Sequence, residues 1–215
     1  ATVILMQDSK NRWLTISGAA GILTPISAVT CISLAILGYP AFSWTENALS
    51  DLGVQSGVAA SLFDFGLTIS GLFALAFAAG LFPYVGEKLM GKIGGSFFIL
   101  AVVALILIGV FPESVEPMHY FASVAFFLLV PIAMLVIVAA YFDLRRFKLC
   151  WFTLLTSLIT AVPWILQFAV NYVPNVAIPE TISAISASAW SITIGFNMLK
   201  SRGSKTERTS HQGIS

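Results

Sequence analysis

The sequence predicts an all-α fold: a polytopic membrane protein, a bundle of six transmembrane helices with both termini in the cytoplasm. Three observations predict it. First, 58% of the 215 residues are hydrophobic and only 10% are charged, against about a quarter charged in a soluble domain. Mean hydropathy is +0.92. A soluble fold of this length has too little interior to hide so much apolar surface, so the solvent is lipid. Second, six apolar runs reach the roughly 20 residues that a spanning helix needs. Third, all eleven lysines and arginines fall in alternate polar segments. The net charge of +1 suggests neither nucleic acid nor an acidic partner.

The chain divides into a cytoplasmic N-terminal tail (1–12), the six-helix bundle (13–199) and a disordered cytoplasmic tail (200–215). The first tail carries Lys10 and Arg12, and its apolar stretch is too short for a signal-peptide core. Span one covers about 13–39, span two 60–82 and span three 92–111. Span four covers 117–141, span five 149–171 and span six 179–199. The last tail is polar throughout, which is the composition of disorder.

Orientation follows from the basic residues. They occupy the N-terminal tail, the second loop (Lys88, Lys92), the fourth loop (Arg145, Arg146, Lys148) and the C-terminal tail. Loops one, three and five have none. The first set is therefore expected in the cytoplasm and the second outside. Cys31 and Cys150 then lie at different depths, which argues against a disulfide.

Loop one, "FSWTENALSDLGVQSG" at 42–57, is an unusually long polar break. Its lack of positive charge follows from its outer position, but its acids do not. Read as a short helix, Thr45 caps it, Glu46 suits its first turn and Gly53 ends it. Asn47, Ser50 and Asp51 then share one face. They are candidate ligand-binding residues, or simply the wet face of an interfacial helix.

Asp64 lies near the outer end of span two. An ionisable group inside a span is a functional hypothesis by default. "SLFD" also fits a capping box, with Ser61 as cap and Asp64 reaching back, which starts the helix at Leu62. In loop three, "FPESVEPMH" crowds Glu113, Glu116 and His119 within seven residues. A carboxylate and a histidine can do acid–base work, which makes Asp51, Asp64, Glu113 and His119 the candidate catalytic groups. Glu113, Glu116 and His119 are a weak metal-ligand pattern. A solvated loop explains the same residues. No cofactor is predicted.

Trp164, Gln167 and Asn171 form one polar stripe on span five. In lipid such groups face a partner helix or a ligand cavity. Pro25, Pro131 and Pro163 fall near the middle of their spans and are expected to kink them, widening the outer half of the bundle. Small residues four apart, such as Ser17 with Gly21 and Gly66 with Ser70, read as helix-packing faces, as does "SAISASAWS" in span six.

Two boxes, "NALSDLG" at Asn47–Gly53 and "GVFPE" with a histidine six residues after the glutamate, resemble those of an uncharacterised group of six-span prokaryotic membrane proteins, classed as a domain of unknown function. The resemblance implies the six-span fold over most of 13–199 and no activity. A second likeness is to eukaryotic six-span proteins of the Frag1/DRAM type, some linked to lipid remodelling. Membrane ceramidase-like hydrolases need several histidines, and isoprenoid transferases need aspartate-rich boxes. The bundle has neither.

Two functional readings follow. One is a non-enzymatic protein that binds a lipid or small molecule, or an accessory subunit of a larger membrane complex, with membrane lipids and other membrane subunits as partners. The other is a membrane-embedded hydrolase or transferase acting on a lipid head group at an extracytoplasmic site. The orientation is directly testable. Ser56→Cys and Ser114→Cys should react with a membrane-impermeant thiol reagent on intact cells, and Ser204→Cys should not. The reverse pattern would invert the topology.

Overall fold

The computed structural model describes the backbone of residues 2–212 and the side chains of residues 11–201. Six helices follow in order: α1 (Thr2–Leu37), α2 (Val58–Tyr84), α3 (Leu89–Val110), α4 (Met118–Asp143), α5 (Phe147–Val170) and α6 (Ala177–Gln212). A 3-10 turn at Ser50–Val54 interrupts loop one. Each helix contains a segment long and apolar enough to cross a bilayer, the first being Asn11–Leu37 and the last Ala177–Ser201. The chain is an integral membrane protein with six spanning helices.

Two boundaries differ from expectation. Span two begins at Val58, not Leu62, and Ser61 is exposed and caps nothing. Gly57, with φ of 82°, makes the turn instead. Glycine reaches that left-handed region without the penalty other residues meet, so the helix starts a turn earlier. Asp64 is therefore inside the helix rather than at its cap. At the other end, α6 continues to Gln212 where a disordered tail is expected from 200. Extending a helix already nucleated by a span costs little.

Each helix packs on its sequence neighbours, and α6 closes on α1, so the six form a ring. Loops two and four meet at one end, where Arg146 lies 4.5 Å over the Tyr84 ring and donates to the Tyr84 carbonyl at 3.3 Å. Loops one and five meet at the other, where the Ala177 and Asn175 amides donate to the Asn47 and Thr45 carbonyls at 3.1 and 3.0 Å. The basic and the acidic segments thus occupy opposite ends, as the sequence spacing requires.

Lipid offers helices no hydrophobic reason to associate, so the seams rest on close packing and hydrogen bonds. At α1–α6, a Cβ on Gly18 would stand 2.8 Å from the Gly195 carbonyl oxygen, too close for anything but glycine. At α1–α2, a Cβ on Gly80 would collide with Ser17, and Ser27 and Ser70 share a hydroxyl bond of 2.7 Å. At α5–α6, hydroxyls step along the seam. Ser183 donates to Thr160 O and Ser186 to Thr156 O, both at 2.8 Å, and Trp190 Nε1 donates to Thr153 Oγ1 at 3.1 Å.

The prolines sit within continuous helices. Proline removes the amide that would bond the carbonyl four residues back. For Pro25 that carbonyl is Gly21 O, and Ser191 Oγ of α6 takes its place at 2.6 Å. Pro131 and Pro163 are buried against neighbouring helices. Pro131 also presents its own carbonyl to Ser157 Oγ at 3.0 Å. Cys31 and Cys150 are free thiols.

The ring's middle is filled by Phe77, Phe98 and Trp190, whose centroids are 5.3 to 5.9 Å apart. The core toward the basic end is dense, with Met134, Ile137, Tyr141, Ile194 and Met198 fully buried. Because α1 and α2 touch through Gly80 and Ser17, Gly80→Val should lower stability by about 1–3 kcal/mol through overpacking. Thermal unfolding of the detergent-solubilised protein, compared with Gly80→Ser, checks this. The serine variant should lose less.

Candidate functional site

Loop one is built by its own polar side chains. Asn47 Oδ1 accepts from the Ser43 amide at 2.9 Å, and Asn47 Nδ2 donates to Asp51 Oδ2 at 2.6 Å. The same Asp51 oxygen accepts from the Ala48 amide at 3.2 Å. The expected pairing of Asn47 with Asp51 is present, but the helix around it is shorter than expected. Thr45 does not cap it, Glu46 is exposed, and Gly53 is buried inside the 3-10 turn. An aspartate that bonds a nearby backbone amide competes with a regular helix, and here it wins.

The loop folds inward over the ring. Leu52 is fully buried, and Leu49 and Gly53 are buried beside it. A Cβ on Gly53 would stand 2.6 Å from Asp64 Oδ1, so the loop rests on the start of α2. The Leu49 amide donates to Glu180 Oε2 of α6 at 2.6 Å. Glu180 is only 6% exposed.

Asp51 then meets loop three. Its carboxyl lies beside that of Glu113, and two carboxyls can share a hydrogen bond only when one of them holds a proton. Burial raises the Glu113 pKa from 4.5 to about 7, and the Asp51 charge, the Asp51 hydrogen bond and the Glu116 charge push the same way.

His119, at the start of α4, is 4% exposed. Its Nδ1–H donates to the Phe111 carbonyl at 2.7 Å. That bond satisfies one of the carbonyls left free at the end of α3. Nε2 is buried without a partner, as are Asp64 Oδ1 and Glu113 Oε2. Asp64 lies within electrostatic reach of His119. Asn47, Asp51, Asp64, Glu113, His119 and Glu180 thus form one polar layer across the acidic end.

Below this layer is a cavity of about 130 Å³. Leu49, Ser50 and Glu180 line its upper part, Phe63, Leu67, Leu105, Ile108 and Phe126 its walls, and Phe98 and Trp190 its floor. Pro25 lines it from α1, whereas no residue of α5 does. The candidate ligand-binding residues Trp164, Gln167 and Asn171 are therefore not at the cavity. Gln167 donates to Asn171 Oδ1 and Val173 O, both at 2.9 Å, and Asn171 ends α5 with φ of 45°. Trp164 packs on Phe127 with centroids 4.6 Å apart. The stripe is a helix terminator and a packing edge.

The weak metal pattern does not converge either. Glu116 is exposed while His119 faces inward. Among the described residues no group of three His, Cys, Asp or Glu side chains is placed to hold a metal ion.

The sequence profile of the family described as "Protein of unknown function (DUF998)" matches residues 22–197. The chain belongs to this family. The matched segment includes the whole polar layer and every cavity-lining residue. No curated protein and no solved structure matches the chain.

Glu180 is the site residue that sequence reasoning missed. Its only signal is a carboxylate in the first turn of an apolar run, which a helix dipole explains equally well. Its partner, a backbone amide 131 residues away, leaves no trace in composition.

The carboxyl pair makes stability depend on pH. The folded protein keeps the Glu113 proton up to about pH 7, while the unfolded chain releases it from about 4.5. The contribution is fully present below 4.5 and is lost as pH rises through 7. The thermal midpoint in detergent should fall between pH 5 and pH 8, and Glu113→Gln, which is neutral throughout, should flatten that fall.

Proposed function

We propose that this protein binds a small, largely apolar molecule, or one chain of a lipid, in the cavity beneath loop one. The observation that supports this reading best is the cavity itself, lined mostly by apolar side chains, with a few hydroxyls such as Ser70 and Ser123 along its sides and Glu180 at its roof. Binding sites for small molecules have this composition, many apolar contacts and a few placed polar groups. Size limits the occupant. A cavity of about 130 Å³ is near the roughly 150 Å³ that accepts one benzene. It suits a ring or about six carbons of a chain and excludes two acyl chains.

The distribution of lysine and arginine supports placing the polar layer on the extracytoplasmic side, with both termini in the cytoplasm. A ligand then reaches the cavity from that side or from the outer leaflet.

A second reading, an enzyme acting on a lipid head group, is favoured by one feature. His119 has a fixed tautomer and an unpartnered Nε2 among carboxylates, which is the form of a general base.

Native mass spectrometry of protein extracted gently from its own membrane separates the two. The binding reading expects a small retained molecule, lost in Ala184→Phe, which fills the cavity from α6. A bare protein identical to the variant, together with a chemically altered lipid that appears only when His119 is present, would favour the enzyme instead.

A further inference from the structure

We infer that the molecule held in this cavity carries a cationic amine and that Glu180 is its acceptor. The inference rests on the cavity-binding reading above and names the chemistry of the ligand's polar end.

Glu180 is a carboxylate that lines the cavity while being 94% buried, as its 6% exposure gives. Among the described residues, the only hydrogen bond to its carboxylate is the Leu49 amide on Oε2. A carboxylate has room for about four bonds, so acceptor capacity is left over inside an apolar chamber. Burying a charge this way is costly unless something pairs with it.

Among the described residues no lysine or arginine does. The acidic end holds no lysine or arginine. The nearby charged groups are instead of the same sign, since Asp51 and Glu113 both lie within electrostatic reach of Glu180. A ligand ending in a carboxylate or phosphate would meet three acids. A hydroxyl would meet one acceptor and leave the repulsion untouched. A primary ammonium offers three donors and the opposite charge. Glu180 takes one donor, and the Ser50 hydroxyl lines the upper part of the same cavity as a further acceptor. Charge-assisted bonds of this kind are roughly twice as strong as neutral ones. Phe63 and Phe126 supply apolar wall for the attached carbons.

The test compares three probes with the same six-carbon chain: n-hexylamine, n-hexanol and hexanoate. Binding to the purified protein is measured in a non-ionic detergent near neutral pH. Subtracting the signal of Ala184→Phe removes partition into the micelle. The amine should bind at least about ten-fold more tightly than the alcohol, and hexanoate should not bind. Glu180→Gln, which keeps an oxygen for the Leu49 amide, should abolish the preference and leave the alcohol unchanged. Equal affinity of wild type for amine and alcohol would overturn the inference without any variant, and so would a preference that survives in Glu180→Gln. Alcohol binding that Ala184→Phe blocks would then leave the cavity reading standing alone. If no probe binds above the Ala184→Phe background, both fall.

Discussion

The bond between the Leu49 amide and the Glu180 carboxylate, at 2.6 Å, ties the acidic end of this protein together. It joins loop one to α6 across 131 residues. With the three loop-one to loop-five bonds beside it, it converts a polar connector into a roof. The roof in turn seats Gly53 against Asp64 and Asp51 against Glu113. Asn47 and Asp51 owe their positions in that layer to a loop that would otherwise lie in water. Burying the Leu49 amide without an acceptor would cost the penalty of an unmade bond, which gives the loop a reason to stay folded.

The ring beneath follows from the solvent. Helices in lipid associate only where backbones can approach or hydroxyls can bond. Gly18 and Gly195, Gly80 and Ser17, and the Thr–Ser steps of α5 and α6 meet that need at three seams. Pro25 adds a constraint and its own remedy. It frees the Gly21 carbonyl, and Ser191 accepts the task of bonding it. Tight seams draw the helices together at their contacts, while bulky side chains fill the middle only as far as Phe77, Phe98 and Trp190. Above that aromatic floor the ring is wider than its contents, which is the physical origin of the cavity.

The parts of this molecule that repeat along the chain were legible in the sequence. Six apolar runs and alternate basic segments led to six helices within about three residues at each bilayer boundary, because length and hydropathy are local properties. The pairing of Asn47 with Asp51 was legible for the same reason, being four residues apart. What depends on geometry between distant segments was not. "SLFD" reads as a capping box, yet Gly57 turns the chain first, and no local rule ranks the two. Trp164, Gln167 and Asn171 share a helical stripe in either reading. Only the position of α5 outside the cavity lining shows that the stripe ends a helix instead of meeting a ligand. Glu180 was visible as an acid at a helix start and invisible as the anchor of loop one.

The single sign of charge at this end has two separate causes. Insertion explains why lysine and arginine are missing, since they hold segments on the other side. It says nothing about why acids are kept. Four carboxylates and one histidine share one partly buried layer, where like charges at short range raise one another's affinity for protons. Glu113, raised to about 7, shows the consequence at the layer's edge. A layer with too few protons repels itself, and a layer with too many loses its acceptors. Either a shared proton or a bound cation relieves the strain. An arginine would relieve it permanently and close the site. A chain that keeps the acids and omits the arginine leaves the positive charge to be supplied from outside.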